Sequence, residues 1–341
     1  MTTSSLPRLA DELDRLQFGP PGPCLLIEQI PIGFGGQISR RLLGLKLALA
    51  LGRRAVFLLE DDPPYLQTCA PQNAPVPGVD WAAQPMWDPL GAQQEPCLRF
   101  EFEAANARLP EPGGVVSWSQ RGAAARYGLP ADANLDGEIL AWMRPTAEAE
   151  AEIAAARARL GVDERTLGVH FRRGDKTVET AYVPARHLNA AIARVHARWK
   201  FERLFLASDS PKAVEEIELP AGVRLIFDHE EKRYNNANHK MLFRQPELAR
   251  QETFTACKNL GLLAACGGIV GQDNAHFATL AAALVRRRHP EPGRVILLSG
   301  DVAELEAPLL GRYFALKRRA RALARACVPG ELREKLLRLR F

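Results

Sequence analysis

The sequence lacks the features that mark secreted, membrane-spanning and metal-stapled proteins. Its six cysteines, Cys24, Cys69, Cys97, Cys257, Cys266 and Cys327, are scattered and form no CxxC pair. Neither a disulfide framework nor a cysteine-ligated metal is therefore expected. No stretch approaches the ~18 uncharged apolar residues of a membrane span. The best candidate, Leu42 to Leu51, is short and carries Lys46. The opening MTTSSLPRLADELDRLQ has neither the basic start nor the apolar core of a secretory signal. A cytoplasmic location with free thiols is the expectation. Neither GxxxxGK(S/T) nor GxGxxG stands at a strand-to-helix turn, which argues against P-loop and dinucleotide enzymes. No internal repeat or low-complexity segment is present.

What is there is ordinary for a globular protein: 341 residues, 47% hydrophobic and 25% charged, comfortable for two α/β units. The net charge of +5 is a local property. Arg312 to Phe341 holds ten Lys or Arg against Glu331 and Glu334, a balance of +8, which leaves −3 on the other 311 residues. This tail mixes Arg with Leu and Ala at helical spacing, as a solvated closing helix does, or as a peripheral contact with the inner face of a membrane does. No aromatic platform accompanies it, so nucleic acid is not an expected partner.

Along the chain, apolar runs and breakers alternate. Cys24 to Glu28 reads as a buried strand bounded by Pro20-Pro21-Gly22-Pro23. A turn, Gly33-Phe34-Gly35-Gly36-Gln37, follows, then a helix over Ile38 to Leu51 stopped by Gly52, and a strand over Ala55 to Leu59. This is a βαβ unit, and its crossover implies a parallel sheet. Thr146 to Leu160 predicts a helix with Thr146 as N-cap and Gly161 at its end. From Thr166 a second series runs: strands at 167–171, 203–207, 223–227, 268–270 and 295–298, with helices at 185–199, 211–217, 251–265 and 275–286. The fold class is α/β, two Rossmann-like units with parallel sheets facing across a cleft. The expected units are 1–160, 161–305, and a basic helical tail over 306–341. The stretch Asp61 to Asp136, rich in Pro, Gly and Trp, predicts loops and short strands.

The chemistry concentrates at His170-Phe171-Arg172-Arg173-Gly174-Asp175-Lys176, directly after a strand. Ligands of open parallel sheets bind beyond the carboxyl ends of strands. Two adjacent arginines there are costly to bury without an anionic partner, and guanidinium planes suit a diphosphate. A surface ion-pair network is the other reading of the same residues.

HFRRGDKTVETAYVP resembles the His-x-Arg-Arg-x-Asp-Lys motif of the α1,6-fucosyltransferases, in which Glu, an aromatic and Pro follow. Parts of that motif are shared with α1,2-fucosyltransferases and protein O-fucosyltransferases. The Gly33 to Gln37 turn is similar to the family's Gly-aromatic-Gly-x-Gln turn. ILAWMRPTAEAEAEIAAARARLG resembles its helix before the arginine motif, and Ala207-Ser208-Asp209-Ser210-Pro211 its Ser/Thr-Asp-Asp-Pro turn. The resemblance runs over about residues 24 to 285. It implies a GT-B glycosyltransferase that moves L-fucose from GDP-fucose to a glycan hydroxyl, with inversion and without metal or cofactor. Partners are then a nucleotide-sugar donor and an oligosaccharide or glycolipid acceptor.

On that resemblance Arg172 stabilises the leaving diphosphate, with Arg173 and Lys176 beside it. Glu179 is the general base and Asp175 the alternative. Asp228 matches the guanine-binding Asp, and Asp209 binds ribose or orders its loop. His170 lies near the diphosphate or is a buried, backbone-bonded histidine. Where the family has Ser-Ser-Gln this chain reads Gly271-Gln272-Asp273-Asn274, with Asp273 and Asn274 as N-cap of a helix whose N–H groups face the donor. His276 is a further candidate contact. Gly35 permits close backbone approach, and Gln37 contacts phosphate or sugar. The polar segment Lys232 to Lys240 reads as a lid over the cleft. The alternatives are the same fold with another nucleotide sugar, or a non-catalytic sugar-nucleotide or glycan-binding relative.

Overall fold

The structure, a computed structural model, describes residues 8–20, 24–29, 33–59, 98–100, 134–143, 145, 147–173, 183–233, 245–299, 313 and 316. Most of the stretch from Asp61 to Asp136, Thr146 and nearly all of the basic tail lie outside them. Among the described residues no helix is long and apolar enough to cross a membrane.

Helix α1 (Leu9–Phe18) buries Leu9, Leu13 and Leu16, three to four residues apart, and closes an Arg15–Glu12 pair at 2.7 and 2.8 Å. Strand β1 (Cys24–Gln29) then pairs in parallel with β2 (Arg54–Leu59) and β3 (Leu98–Phe100), in the order β2-β1-β3. Helix α2 (Phe34–Leu51) makes the crossover. It ends as expected at Gly52, whose φ of 65° is left-handed and cheap only for glycine. Its start differs from the sequence expectation. The amides of Gly36 and Gln37 both reach Gly33 O, so Gly33 is the N-cap and Phe34 to Gln37 form the first helical turn. Glycine in a helix costs conformational entropy, which is why local sequence reads as a turn; packing decides otherwise.

Helices α3 (Leu135–Trp142) and α4 (Ala147–Leu160) lead to the second sheet. Its strands are β4 (Thr166–His170), β5 (Arg203–Ala207), β6 (Arg224–Ile226), β7 (Gly268–Gln272) and β8 (Val295–Leu298). All are parallel, in the order β6-β5-β4-β7-β8. Between them come α5 (Ala185–Arg198), a 3₁₀ turn (Pro211–Glu216), α6 (Pro246–Ala265) and α7 (His276–Arg288). The segment at Pro211 is too short to settle into the expected α-helix.

Alternation along the strands divides the core. Leu167, Val169, Leu204, Leu206 and Val270 pack with Leu188, Ile192 and Val195 of α5 on one face. Phe205, Ala207 and Ile269 face the other way, onto α6 and α7. Both faces are covered, as a parallel sheet requires, and β4 and β7 are buried along their whole length. The second cluster continues through α6 and α7 into α3, α2 and α1, so residues from Leu9 to Val285 share one apolar core. Asn134 Nδ2 donates to Ala283 O at 2.5 Å, and Arg287 pairs with Glu138 at 3.0 Å, tying α3 to α7. Cys257 and Cys266 are buried free thiols.

Candidate functional site

Strand β4 is first in its series, and the chain builds outward from it in both directions. The crevice at its carboxyl end, between β4 and β7, is therefore a topological switch point, where open α/β sheets bind ligands. His170 is the last residue of β4 and is buried. Its imidazole lies parallel to the ring of Phe277 in the first turn of α7, 5.6 Å between centroids and 8° between planes. Phe34, at the start of α2, stands 6.2 Å from the same Phe277 ring. The N-terminal ends of α2 and α7 thus meet beside the end of β4.

The two arginines that leave β4 part company. Phe171 is fully buried, and its carbonyl accepts the Ser208 hydroxyl at 2.6 Å. Arg173 stacks over the Phe171 ring at 3.9 Å and closes its guanidinium on Glu216 with bonds of 3.0 and 2.6 Å. Its third nitrogen donates to Val183 O at 3.0 Å. Expected on the anion, Arg173 is instead bound into the scaffold, joining β4, the 3₁₀ turn and the entry to α5. Arg172 keeps a 27% exposed side chain, with Nε 3.9 Å from Asp209. Asp209 accepts the backbone N–H of Arg173 at 2.6 Å, so of its two expected roles the geometry shows the ordering of the loop.

Asp228, just past β6, is buried. Its Oδ2 accepts from Arg159 at 2.9 Å and Lys258 at 3.2 Å. Burial pushes its carboxyl up, but those hydrogen bonds and charges outweigh it and hold it below the ordinary carboxylate value. Lys258 also pairs with Glu231 at 3.2 Å, and Asn259 donates to Glu231 at 2.8 Å. Arg233 is clamped: it donates to Ser208 O, Glu231 O and Asp228 O at 2.7 to 3.0 Å and lies over Phe227 at 4.2 Å. The second residue of the expected lid is therefore fixed, since Arg233 fastens the ends of β5 and β6 together. Residues 234–240 lie outside the described residues.

Between this network and α6 is a cavity of about 310 Å³ whose lining includes Arg159, Asp228, Glu231, Glu252 and Lys258. The Glu252 carboxyl is pushed up to about 8 by burial and then by the charge of Glu231, against the pull of Arg233. That shift favours the protonated, uncharged form of Glu252 at neutral pH. An acid with a raised folded pKa contributes stability that is fully present below its ordinary value of 4.5 and is lost as pH rises through about 8. Urea unfolding is expected to show wild type losing stability across that window, relative to Glu252→Gln, by up to about 1.4 kcal/mol per pH unit. Parallel pH profiles for the two proteins would remove Glu252 from this account.

At the start of α7, Asp273 and Asn274 are exposed, and the N-cap position is held by buried Ala275 instead of either. Strand β7 runs on to Gln272, with Asp273 N donating to Leu298 O and Ala275 N to Gln272 O. The turn consumes the polar residues before the helix begins. His276 is likewise exposed. On the α2 side Gly35, Gln37 and Arg41 are buried, and burial lowers the Arg40 guanidinium to about 10. Of the sequence-predicted residues, His170, Arg172, Asp209, Asp273, Asn274, Gly35 and Gln37 gather around the ends of β4 and α7. Asp228 sits past β6, linked to them through Arg233 and Ser208. Asp175, Lys176 and Glu179 lie outside the described residues. Sequence reasoning missed Phe277, Arg233, Lys258 and Glu252; an Arg in a polar loop and a Lys inside a helix carry no local signal of burial. Among the described residues no group of three or more His, Cys, Asp or Glu has the arrangement to hold a metal ion.

No family model matches the chain, and no curated protein matches it in sequence. Among solved structures it is similar to POFUT1 in complex with GDP, at 13% identity and a TM-score of 0.41, over 82% of this chain and 98% of that one. It is similar also to NodZ alpha-1,6-fucosyltransferase soaked with GDP-fucose, at 14% and 0.40, over 77% and 93%. Fucosyltransferase NodZ from Bradyrhizobium aligns at 13% and 0.39, over 76% and 92%. At this degree of likeness the functional reading rests on the residues of this chain.

Proposed function

We propose that this protein is a glycosyltransferase that moves L-fucose from GDP-fucose to a hydroxyl of a glycan acceptor. The observation that carries the reading is the carboxyl end of β4, where the N-termini of α2 and α7 meet and just past which Arg172 stands, 3.9 Å from Asp209. Helix N-termini and a guanidinium are the groups that hold a diphosphate. As the glycosidic bond breaks, negative charge grows on that leaving group, and preorganised donors lower the barrier most there. Arginine, without a metal, is assigned this task. Transfer with inversion needs one base on the acceptor hydroxyl, given to Glu179 with Asp175 as the other choice.

Asp228 is given the guanine edge. It lines the cavity and is held ionised by Arg159 and Lys258, as an acceptor for two N–H groups must be. Residues 1–160 form the acceptor side and 161–305 the donor side of a GT-B arrangement in this reading. Titration calorimetry of the full chain with GDP, GDP-fucose and UDP tests it. Binding of both guanine ligands and not of UDP is expected. Failure of every guanine nucleotide to bind would sink the reading, and GDP binding without transfer from any donor would favour the non-catalytic relative.

A further inference from the structure

We infer that Phe277 is a positioning residue, whose ring sets the spacing of the α2 and α7 N-termini and the plane of the His170 imidazole, with Gly35 kept small to receive it. The inference rests on the diphosphate reading of the crevice but is carried by a separate contact. A Cβ added at Gly35 would stand 2.8 and 3.0 Å from Cδ2 and Cε2 of Phe277 and 3.1 Å from Cβ of His276. Carbon atoms in contact prefer about 3.5 to 4.0 Å, so an alanine there forces the ring or the helix to move. Gly35 lies inside α2 and is not among the glycines with positive φ. What the site needs from it is the missing methyl, since glycine weakens a helix turn relative to alanine.

The other face of the contact is the near-parallel stack with His170 at 5.6 Å, and Phe34 adds a tilted ring at 6.2 Å. One aromatic ring therefore touches the first turn of α2, lies in the first turn of α7 and faces the last residue of β4. Aromatic pairs have preferred geometries, so the ring transmits a defined distance where an aliphatic side chain would adapt. Helix-terminus electrostatics fade within a turn, and a small change in spacing alters the grip on an anion.

Four variants test this: Phe277→Tyr, Phe277→Leu, Gly35→Ala, and Gly35→Ala combined with Phe277→Leu. GDP affinity is expected to hold in Phe277→Tyr and to weaken about tenfold in Phe277→Leu, the scale of one lost aromatic pair. Gly35→Ala should weaken it more, and the double variant should recover to the level of Phe277→Leu alone. Equal affinity in all four, or a double variant that shows the product of the two single losses, would overturn the inference. The His170 ring resonances, assigned with His170→Gln, read the same contact without nucleotide. Phe277→Leu and Gly35→Ala should shift them, and Phe277→Tyr should not. If wild type binds no GDP while the resonances behave this way, the donor reading fails and the positioning role stands. Unmoved resonances in Phe277→Leu would reject that role whatever binds.

Discussion

Arg172→Ala is expected to weaken guanine-nucleotide binding about a hundredfold and to leave the fold intact, whereas Arg173→Ala is expected to destabilise the fold. The two residues are neighbours of one type, and their different effects follow from their partners. Arg172 stands just past the end of β4 with part of its side chain open to solvent and its Nε 3.9 Å from Asp209. On the proposed reading its removal deletes charge-assisted hydrogen bonds to the diphosphate, each about 1.5–3 kcal/mol, and is expected to weaken Kd by roughly two orders of magnitude. If the chain turns over GDP-fucose, kcat falls by about 10²–10³, as on loss of one oxyanion donor. Arg172→Lys recovers part of this, because an ammonium restores charge without the planar grip.

Arg173 has a 9% exposed side chain, closed on Glu216 by two bonds. Its loss also frees Val183 O and the face of Phe171. Glu216 is partly exposed and can rehydrate, so the cost is set below that of a fully buried pair, at about 2–3 kcal/mol. Calorimetric titration and thermal unfolding of both variants settle the matter. Wild-type affinity in Arg172→Ala would remove that residue from the site. Unchanged unfolding in Arg173→Ala would show the Glu216 tie to be idle.

The largest loss of stability is expected at Lys258. Its ammonium is 3.2 Å from Asp228 and 3.2 Å from Glu231, and the side chains of all three are 10% exposed or less. Arg159 also reaches Asp228 but is 53% exposed, and Arg233 is 3.9 Å from Glu231. Lys258→Met keeps the volume and leaves two buried carboxylates with their weaker partners. Breaking a buried pair from one side costs about 3–5 kcal/mol.

The pH dependence gives the check. The folded Asp228 pKa is depressed, so its contribution is present above its ordinary value of 3.8 and is lost as pH falls through the folded value. Removing Lys258 shrinks that depression. Wild type and variant should therefore differ most in urea at neutral pH and draw together as pH falls below 3.8 and through the folded value. A constant gap between them across that range would assign the effect to packing and not to charge.

How much of this could be read along the chain varies with the distance over which each feature is decided. The strands at 203–207 and 295–298 and the helix ending at Gly161 are local matters of apolar period and a left-handed cap, and the structure has them where expected, while the strand expected at 167–171 runs one residue earlier, over Thr166–His170. The placing of the candidate site after β4 follows from the same alternation, since a parallel sheet places its ligands at strand ends. The start of α2 was not legible, because Gly33 to Gln37 favours a turn until Phe277 packs against Gly35. Ala275 displaces Asp273 and Asn274 from the N-cap of α7 because β8 extends the pairing of β7 to Gln272.

The sequence by itself determined the α/β class, the parallel crossovers and the strand end that bears the arginines, because each depends on residues within a few turns of one another. Only the tertiary structure decided which of the two arginines is spent on the scaffold and which keeps part of its side chain open to solvent. Glu216, which claims Arg173, lies 43 positions further on. The same holds for Lys258, which meets Asp228 across 30 positions. A charged side chain in a helix reads as solvated until the fold brings a second buried charge to it, and their attraction in a poorly hydrated interior then offsets the cost of taking both out of water.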